Sequence, residues 1–235
     1  MKLRLIAEGS TKRDRKILRW GVSFLVGDIL FDAFGREDIF RKNINRYGID
    51  LSRVKHVVIS HEDWDHIAGL ADFLIAHPKA HVHICKQTGK ALKRLIRSNH
   101  GSIIEVSRHC QISRGIFSLG QMRADTGRGI LYEQALVLKS QKGFSVITGC
   151  AHPGIVHIVR QAVKIFGKRI YAVCGGFHMK DKTRKENLKI IAEIQALGVR
   201  MIIPLHCTGA AARLLFRKAY KRGFTLLQEG QAVKL

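Results

Sequence analysis

The chain is short of proline, of long apolar runs and of acid, and each shortage removes a class of explanation. Only three prolines occur in 235 residues, and no Ser/Gly/Pro-rich stretch separates them. A single domain spanning residues 1–235, long enough for a sizeable core, is therefore expected. The five cysteines, Cys85, Cys110, Cys150, Cys174 and Cys207, are scattered and form no Cys-x-x-Cys pair. That spacing suggests neither a zinc knuckle nor a disulfide framework. No apolar run reaches the roughly 18 residues of a membrane span, and the chain turns charged at Glu8 and stays so through Arg19. Neither membrane insertion nor a signal peptide is expected, and a cytoplasmic, reducing location is the default. Acid is outnumbered by base: 18 Asp plus Glu stand against 41 Lys plus Arg, a net charge of +23. Such a field attracts phosphorylated metabolites, nucleic acid or an acidic membrane surface, or else reflects solubility alone; it carries no information about fold.

What is present is an alternation of short apolar runs with amphipathic segments. Strand-type patterns fall at residues 2–7, 20–26, 29–34, 56–60, 81–85, 103–106, 111–119, 135–138, 144–148, 169–174, 199–205 and 224–227. Helical spacing falls at 36–47, 67–77, 86–97, 154–166 and 209–220, and Thr183-x-x-Glu186 reads as a capping box opening one more helix. Residues 8–19 form a basic connection, either a solvated turn or an arm contacting an anion. Two halves rich in strand–helix units predict an α/β sandwich of two central sheets with helices outside.

One stretch concentrates the chemistry. An apolar run ends in Ser60, and His61, Asp63, Asp65 and His66 follow before another helical segment begins. In an extended loop alternate side chains point the same way, so His61, Asp63 and Asp65 can converge while His66 enters at the helix start. Imidazole nitrogen and carboxylate oxygen suit Zn, Mn or Fe. Metal loops rarely close on one segment, and α/β sites gather at the carboxyl ends of strands. Three later histidines satisfy that condition: His152 after the strand at 144–148, His178 after that at 169–174, and His206 at the end of that at 199–205. The other histidines, His56, His77, His81, His83, His100, His109 and His157, lie in strands, on helix faces or in basic loops and are read as structural or solvated.

These residues carry a resemblance. His61-x-Asp63-x-Asp65-His66 resembles the His-x-His-x-Asp-His signature of the metallo-β-lactamase superfamily, with aspartate in place of its second histidine. Thr148-Gly149-Cys150-Ala151-His152-Pro153-Gly154-Ile155, Gly175-Gly176-Phe177-His178 and His206-Cys207-Thr208-Gly209 occur in the order found in one branch, that similar to 7,8-dihydropterin-6-methyl-4-(β-D-ribofuranosyl)-aminobenzene-5′-phosphate synthase. Glu133-Gln134-Ala135-Leu136 also looks like that branch, and the likeness runs from about Gly21 to Gly209. The resemblance implies a four-layer αββα sandwich and one or two divalent metal ions. His61, Asp63 and His152 would serve one metal; Asp65, His66 and His206 would serve the other. Cys150 falls near the usual bridging aspartate, with a small buried thiol as the alternative. Asp32 would support the site from behind, and His178 would face the substrate as a phosphate contact or proton donor. Asp63, harder than an imidazole, would tilt its position towards Mn or Fe relative to Zn.

The expected function is that of a metal-dependent hydrolase turning a hydroxide, generated from metal-bound water, on a phosphorylated or otherwise anionic small molecule, with Asp65 orienting it. Lys180, Lys182 and Arg184 near His178, and the start of the helix after Gly154, would favour such an anion. A synthase forming a C-riboside, a nuclease or phosphodiesterase acting on DNA or RNA, and a non-catalytic polyanion-binding protein remain as alternatives.

Overall fold

The computed structural model describes residues 1–127, 129–167 and 170–235. β1 (Lys2–Gly9), β2 (Gly21–Val26) and β3 (Ile29–Phe31) form an antiparallel meander. β4 (His56–Val58), β5 (His81–Cys85) and β6 (Ser102–Val106) continue from β3 in parallel. β7 (Cys110–Ser113) and β8 (Ile116–Ser118) begin a second sheet, while β9 (Met122–Asp125) and β10 (Ile130–Glu133) pair only with each other. β11 (Leu136–Ser140), β12 (Gly143–Thr148), β13 (Ile170–Gly176) and β14 (Met201–Leu205) complete that sheet, whose order is β14-β13-β12-β11-β8-β7. β15 (Ala232–Lys234) returns to the free edge of β1, making the first sheet seven-stranded.

The two-residue period of the strands sorts their side chains into layers. Leu30, Val57, Val82 and Ile84 face α2 (Glu37–Arg46), α4 (Leu70–Ala76) and α5 (Lys90–Ser98), where they meet Phe40, Leu74 and Ile96. The intervening Ile29, Phe31 and Val58 turn inward and pack on Leu136, Leu138, Ile147 and Ile203 of the second sheet. Val137, Val146, Val173 and Ile202 face outward again onto α6 (Ile155–Phe166), α7 (Arg184–Ala196) and α8 (Ala210–Tyr220). The result is the four-layer αββα sandwich. Each fully buried Leu, Ile or Phe contributes about 1.5–3 kcal/mol through removal from water, and both faces of both sheets are filled with them.

Several sequence expectations need correction. The basic connection at 8–19 contains a short helix, α1 (Lys12–Lys16), capped by Thr11 and Asp14. The helix expected over 67–77 is two: α3 (Trp64–Ile67) carries Asp65 and His66, and α4 begins afresh at Leu70. The break falls at Gly69, where a Cβ would lie 2.6 Å from Ala33 O and 2.8 Å from the Phe40 ring. The run at 111–119 is a hairpin, because Gly115 takes the left-handed conformation between β7 and β8. The strand expected over 224–227 makes only one bridge, Phe224 to Ile202. There the chain leaves the second sheet to reach β15, and Leu227 fills the space between the sheets instead. The capping box on α7 is present as expected. Of the strand expected over 169–174, Arg169 lies outside the described residues. No helix among the described residues is long and apolar enough to cross a membrane.

His83 alternates with Val82 and Ile84 on β5, and its Nε2 lies 3.1 Å from His56 Nδ1. Its own Nδ1 is buried without a hydrogen-bond partner. Burial, reinforced by His56 and His81, pushes the His83 pKa down to about 4. An unfolded chain takes up that proton near 6.5 and the folded one only near 4. The stability tied to neutral His83 is therefore complete above pH 6.5 and lost as pH falls towards 4, a loss on the order of 3 kcal/mol. Denaturant melts at pH 7.5 and 4.5 should show His83→Gln losing less stability than wild type by on the order of 2 kcal/mol; equal losses would remove His83 from the acid response.

Candidate metal centre

The parallel strands β4, β12, β13 and β14 end at one edge of the sandwich, and the loops beyond them bring the candidate residues together. Asp32 follows β3 in the left-handed conformation and is fully buried. Its carboxylate accepts the Ser60 backbone N–H at 2.6 Å and the Ser60 hydroxyl at 2.7 Å, and it lies 2.6 Å from His66 Nδ1. Ser60 Oγ in turn lies 2.8 Å from His61 Nδ1. At the end of β10, in the small β9–β10 hairpin, buried Glu133 accepts the backbone N–H groups of Cys150, Ala151 and His152 at 3.0, 2.7 and 2.7 Å. It also lies 3.0 Å from His152 Nδ1. His206 sits in a 3-10 turn after β14, with its N–H on Glu8 Oε1 and its Nδ1 2.8 Å from Gly9 O.

Every one of these imidazoles has Nδ1 tied to an acceptor or hydroxyl, which leaves Nε2 to face the centre. His66 Nε2 and His206 Nε2 lie 3.3 and 3.2 Å from Cys150 Sγ. They lie 3.4 and 3.3 Å from Asp65 Oδ2. His61 Nε2 and His152 Nε2 lie 3.5 and 3.8 Å from Asp63 Oδ2. Asp65, His66, Cys150 and His206 thus form one group of ligating atoms, and His61, Cys150 and His152 a second, each spanning no more than 4.8 Å. Asp63 stands beside the second group with its side chain 47% exposed. Cys150, which sequence alone left between ligand and packing residue, belongs to both groups. His178 is exposed, in the left-handed conformation, with its ring 4.5 Å from that of His152.

Glycine makes the approach feasible. A Cβ on Gly149 would sit 2.2 Å from Ser60 Oγ and 2.9 Å from Asp32 Oδ2. One on Gly21 would strike the Asp65 carbonyl oxygen at 1.8 Å. The loop after β12 can therefore meet Ser60 and Asp32, and β2 the Asp65 backbone, only with side chains missing at these points.

The donor set fits a divalent cation. Among the described residues His61 Nε2 is buried with no hydrogen-bond partner, as expected of an atom directed at an ion. Burial opposes charge on Asp65, yet His66 and His206 more than offset it and hold the carboxyl far below the ordinary range. Burial likewise opposes protonation of His66, but Asp65 and Asp32 raise its pKa well above the usual value. His152 is raised in the same way by Glu133, against burial. Glu133 itself is buried and still held well below the carboxylate range, chiefly by His152 and His61. His61 lowers the Asp63 carboxyl. Burial and the adjacent Cys207 push the Cys150 thiol up. A negatively charged interior that favours protons on His66 and His152 is one in which a cation replaces protons.

Residues 8 and 133 were not among the sequence-derived site residues. The signal for Glu133 was a carboxylate beside a buried strand, in Leu131-Tyr132-Glu133-Gln134-Ala135; Glu8, at the end of a half-exposed strand, offered none.

Comparison with known proteins agrees with this geometry. Residues 21–98 match the family model for the metallo-β-lactamase superfamily. The chain is 27% identical, over 91% of its length and 89% of the relative's, to 7,8-dihydropterin-6-methyl-4-(beta-D-ribofuranosyl)-aminobenzene-5'-phosphate synthase of Methanocaldococcus jannaschii. It superimposes on the solved structure of Tm1679, described as a metal-dependent hydrolase of the β-lactamase superfamily, with a TM-score of 0.79 and 26% identity, covering 100% of this chain and 99% of that one. The metallo-β-lactamase fold protein YhfI from Bacillus subtilis shares the fold at a TM-score of 0.68 and 14% identity, with 99% of each chain covered.

Metal uptake should release roughly one or more protons per ion and weaken as pH falls below neutrality, because His66 and His152 must give up their protons. Calorimetry in two buffers of different ionisation enthalpy measures this, and uptake without proton release would contradict it. Glu133→Gln should weaken any ion held beside His61 and His152 by roughly 10–100-fold, and Asp32→Asn should do so for any ion held beside His66. Elemental analysis after graded chelation distinguishes them; identical losses in both variants would mean that the two groups do not act separately.

Proposed function

We propose that the chain is a metal-dependent hydrolase of the metallo-β-lactamase superfamily acting on a phosphorylated or otherwise anionic small molecule. The observation that carries this reading is the meeting of two groups of ligating atoms at one sulfur, Cys150, directly below an exposed histidine. His61, Asp63 and His152 would hold one ion; Asp65, His66 and His206 would hold the other, with Cys150 between. Divalent ions in that position supply a Lewis acid for the electrophile and acidify bound water. Asp65 would orient the attacking water by accepting a hydrogen bond; its strongly depressed pKa makes it an orienting acceptor more than a base. His178, exposed beside His152, would contact the anionic group or hand a proton to the leaving oxygen.

The rim supports an anionic substrate. Trp20 packs edge-on to His206 with ring centroids 4.8 Å apart. The Lys180 ammonium lies 5.2 Å and the Arg15 guanidinium 5.9 Å from the centre of that indole. Neighbouring Arg19 and Arg36 are already engaged by Asp14, Glu229 and Asp38. Among the described residues Lys180 forms an ion pair with Asp181 alone, at 3.8 Å. A cationic rim above a cation-holding floor favours a ligand whose anionic group bridges the two.

A second reading has its own support. The likeness to the Methanocaldococcus jannaschii synthase extends over most of both chains, and a C-riboside synthase would use the same anion-binding rim. With metal restored, the hydrolase reading expects turnover of a phosphodiester, ester or lactone. His178→Ala should lower kcat by roughly 100-fold while metal content stays unchanged, as for loss of one acid–base group. Absence of any hydrolysis, with His61→Ala leaving metal content unaltered, defeats the hydrolase. Product from phosphoribosyl pyrophosphate and a pterin or aminobenzoate acceptor would establish the synthase instead.

A further inference from the structure

Two sulfurs meet in the centre, and the reading above uses only one of them. Cys150 follows β12 and Cys207 follows β14, yet their Sγ atoms lie 3.4 Å apart. Both are buried and neither is in a disulfide. Cys207 Sγ also accepts the backbone N–H of His178 at 3.3 Å and lies 3.5 Å from Cys150 O. The ligating atoms of Cys150, Cys207 and His178 fall within 4.8 Å of one another, a third group that shares Cys150 with the other two. The remaining cysteines take no part: Cys174 lies in the apolar layer between the sheets, Cys85 contacts Ser60 O, and Cys110 sits on β7.

The local backbone is shaped around the second sulfur. His206 and His178 both adopt the left-handed conformation, at φ 46° and 49°, on either side of it. A Cβ on Gly176 would meet Cys207 Sγ at 2.7 Å and Gly149 O at 2.3 Å. A buried thiol that merely packs needs neither a strained neighbour nor an N–H directed at it. An N–H···S contact is what a thiolate ligand receives.

We infer that Cys150 and Cys207, with the His178 backbone N–H on the second sulfur, form a two-sulfur cation subsite that makes the centre select a thiophilic divalent ion such as zinc over manganese. The inference rests on the metal-centre reading. Asp63 alone argues for the harder ions, but two thiolates outweigh one exposed carboxylate because softness of the donors governs the choice. Binding is a simple exchange: each thiol loses its proton to solvent as its sulfur takes up the cation, with no change in oxidation state.

The test uses reduced, metal-free full-length protein titrated with cadmium, following the ultraviolet thiolate-to-metal charge-transfer band. Thiolate complexes of known stoichiometry calibrate its intensity. Wild type should show the intensity of two thiolates, Cys207→Ser about half of it, and Cys150→Ser/Cys207→Ser none. In competition, Cys207→Ser should lower the preference for zinc over manganese by at least about tenfold, the scale on which ligand changes alter affinity. A wild-type band worth a single thiolate overturns the inference without any variant. So does Cys207→Ser with an unchanged band and preference, even if two ions are still bound. Protein that takes up no ion at all overturns the metal centre itself, and elemental analysis separates that outcome from the others.

Discussion

Two buried carboxylates, Asp32 after β3 and Glu133 at the end of β10, hold the centre in place. An isolated carboxylate in a protein interior costs several kcal/mol, and only a full set of donors makes it tolerable. Asp32 meets that requirement with Ser60 and His66, and Glu133 with three consecutive backbone N–H groups and His152. The need for donors acts in both directions. Each carboxylate draws a loop into one conformation, and that conformation turns the Nε2 atoms of the histidines inward. His206 is fixed differently, through Gly9 O and the Glu8–Arg213 ion pair behind it.

The charge distribution follows from the same arrangement. The protein as a whole carries +23, yet Asp32, Asp65 and Glu133 are buried together at one end of the sandwich. Attraction for cations is therefore concentrated where solvent screening is weakest, and the basic field outside acts on anions approaching the rim. Apolar burial between the sheets makes this possible: Phe31, Ile147 and Ile203 lock the register that aligns the strand ends. Gly149 then lets the loop after β12 reach Ser60 and Asp32, and Gly21 lets β2 lie against the Asp65 backbone.

Much of the centre was legible in the sequence. His61, Asp63, Asp65 and His66 are conspicuous because so many donor-type residues seldom follow a buried strand. His152, His178 and His206 stand out because each occupies a strand end. Legibility failed where a residue's meaning depends on distant neighbours. Gly69 looks like an ordinary helical position until Ala33 and Phe40 are seen against it, and the apolar run at 224–227 resembles a strand until the chain is seen crossing between sheets. The hairpin of β9 and β10 was unread because its alternation is short and interrupted by charge.

Periodicity, turn residues and ligand chemistry are local properties, so the sequence by itself determined the α/β alternation, the loop of ligand-type residues after β4 and the strand-end histidines. Which atoms share a space is a property of the packed sheets. Only the tertiary structure decided that Glu133 orients the loop of His152, that Cys150 stands in both groups of ligands, and that Cys207, 57 residues further along the chain, touches it. The reason is physical: β12, β13 and β14 run parallel in adjacent positions, so their ends coincide in space however far apart they lie in the chain.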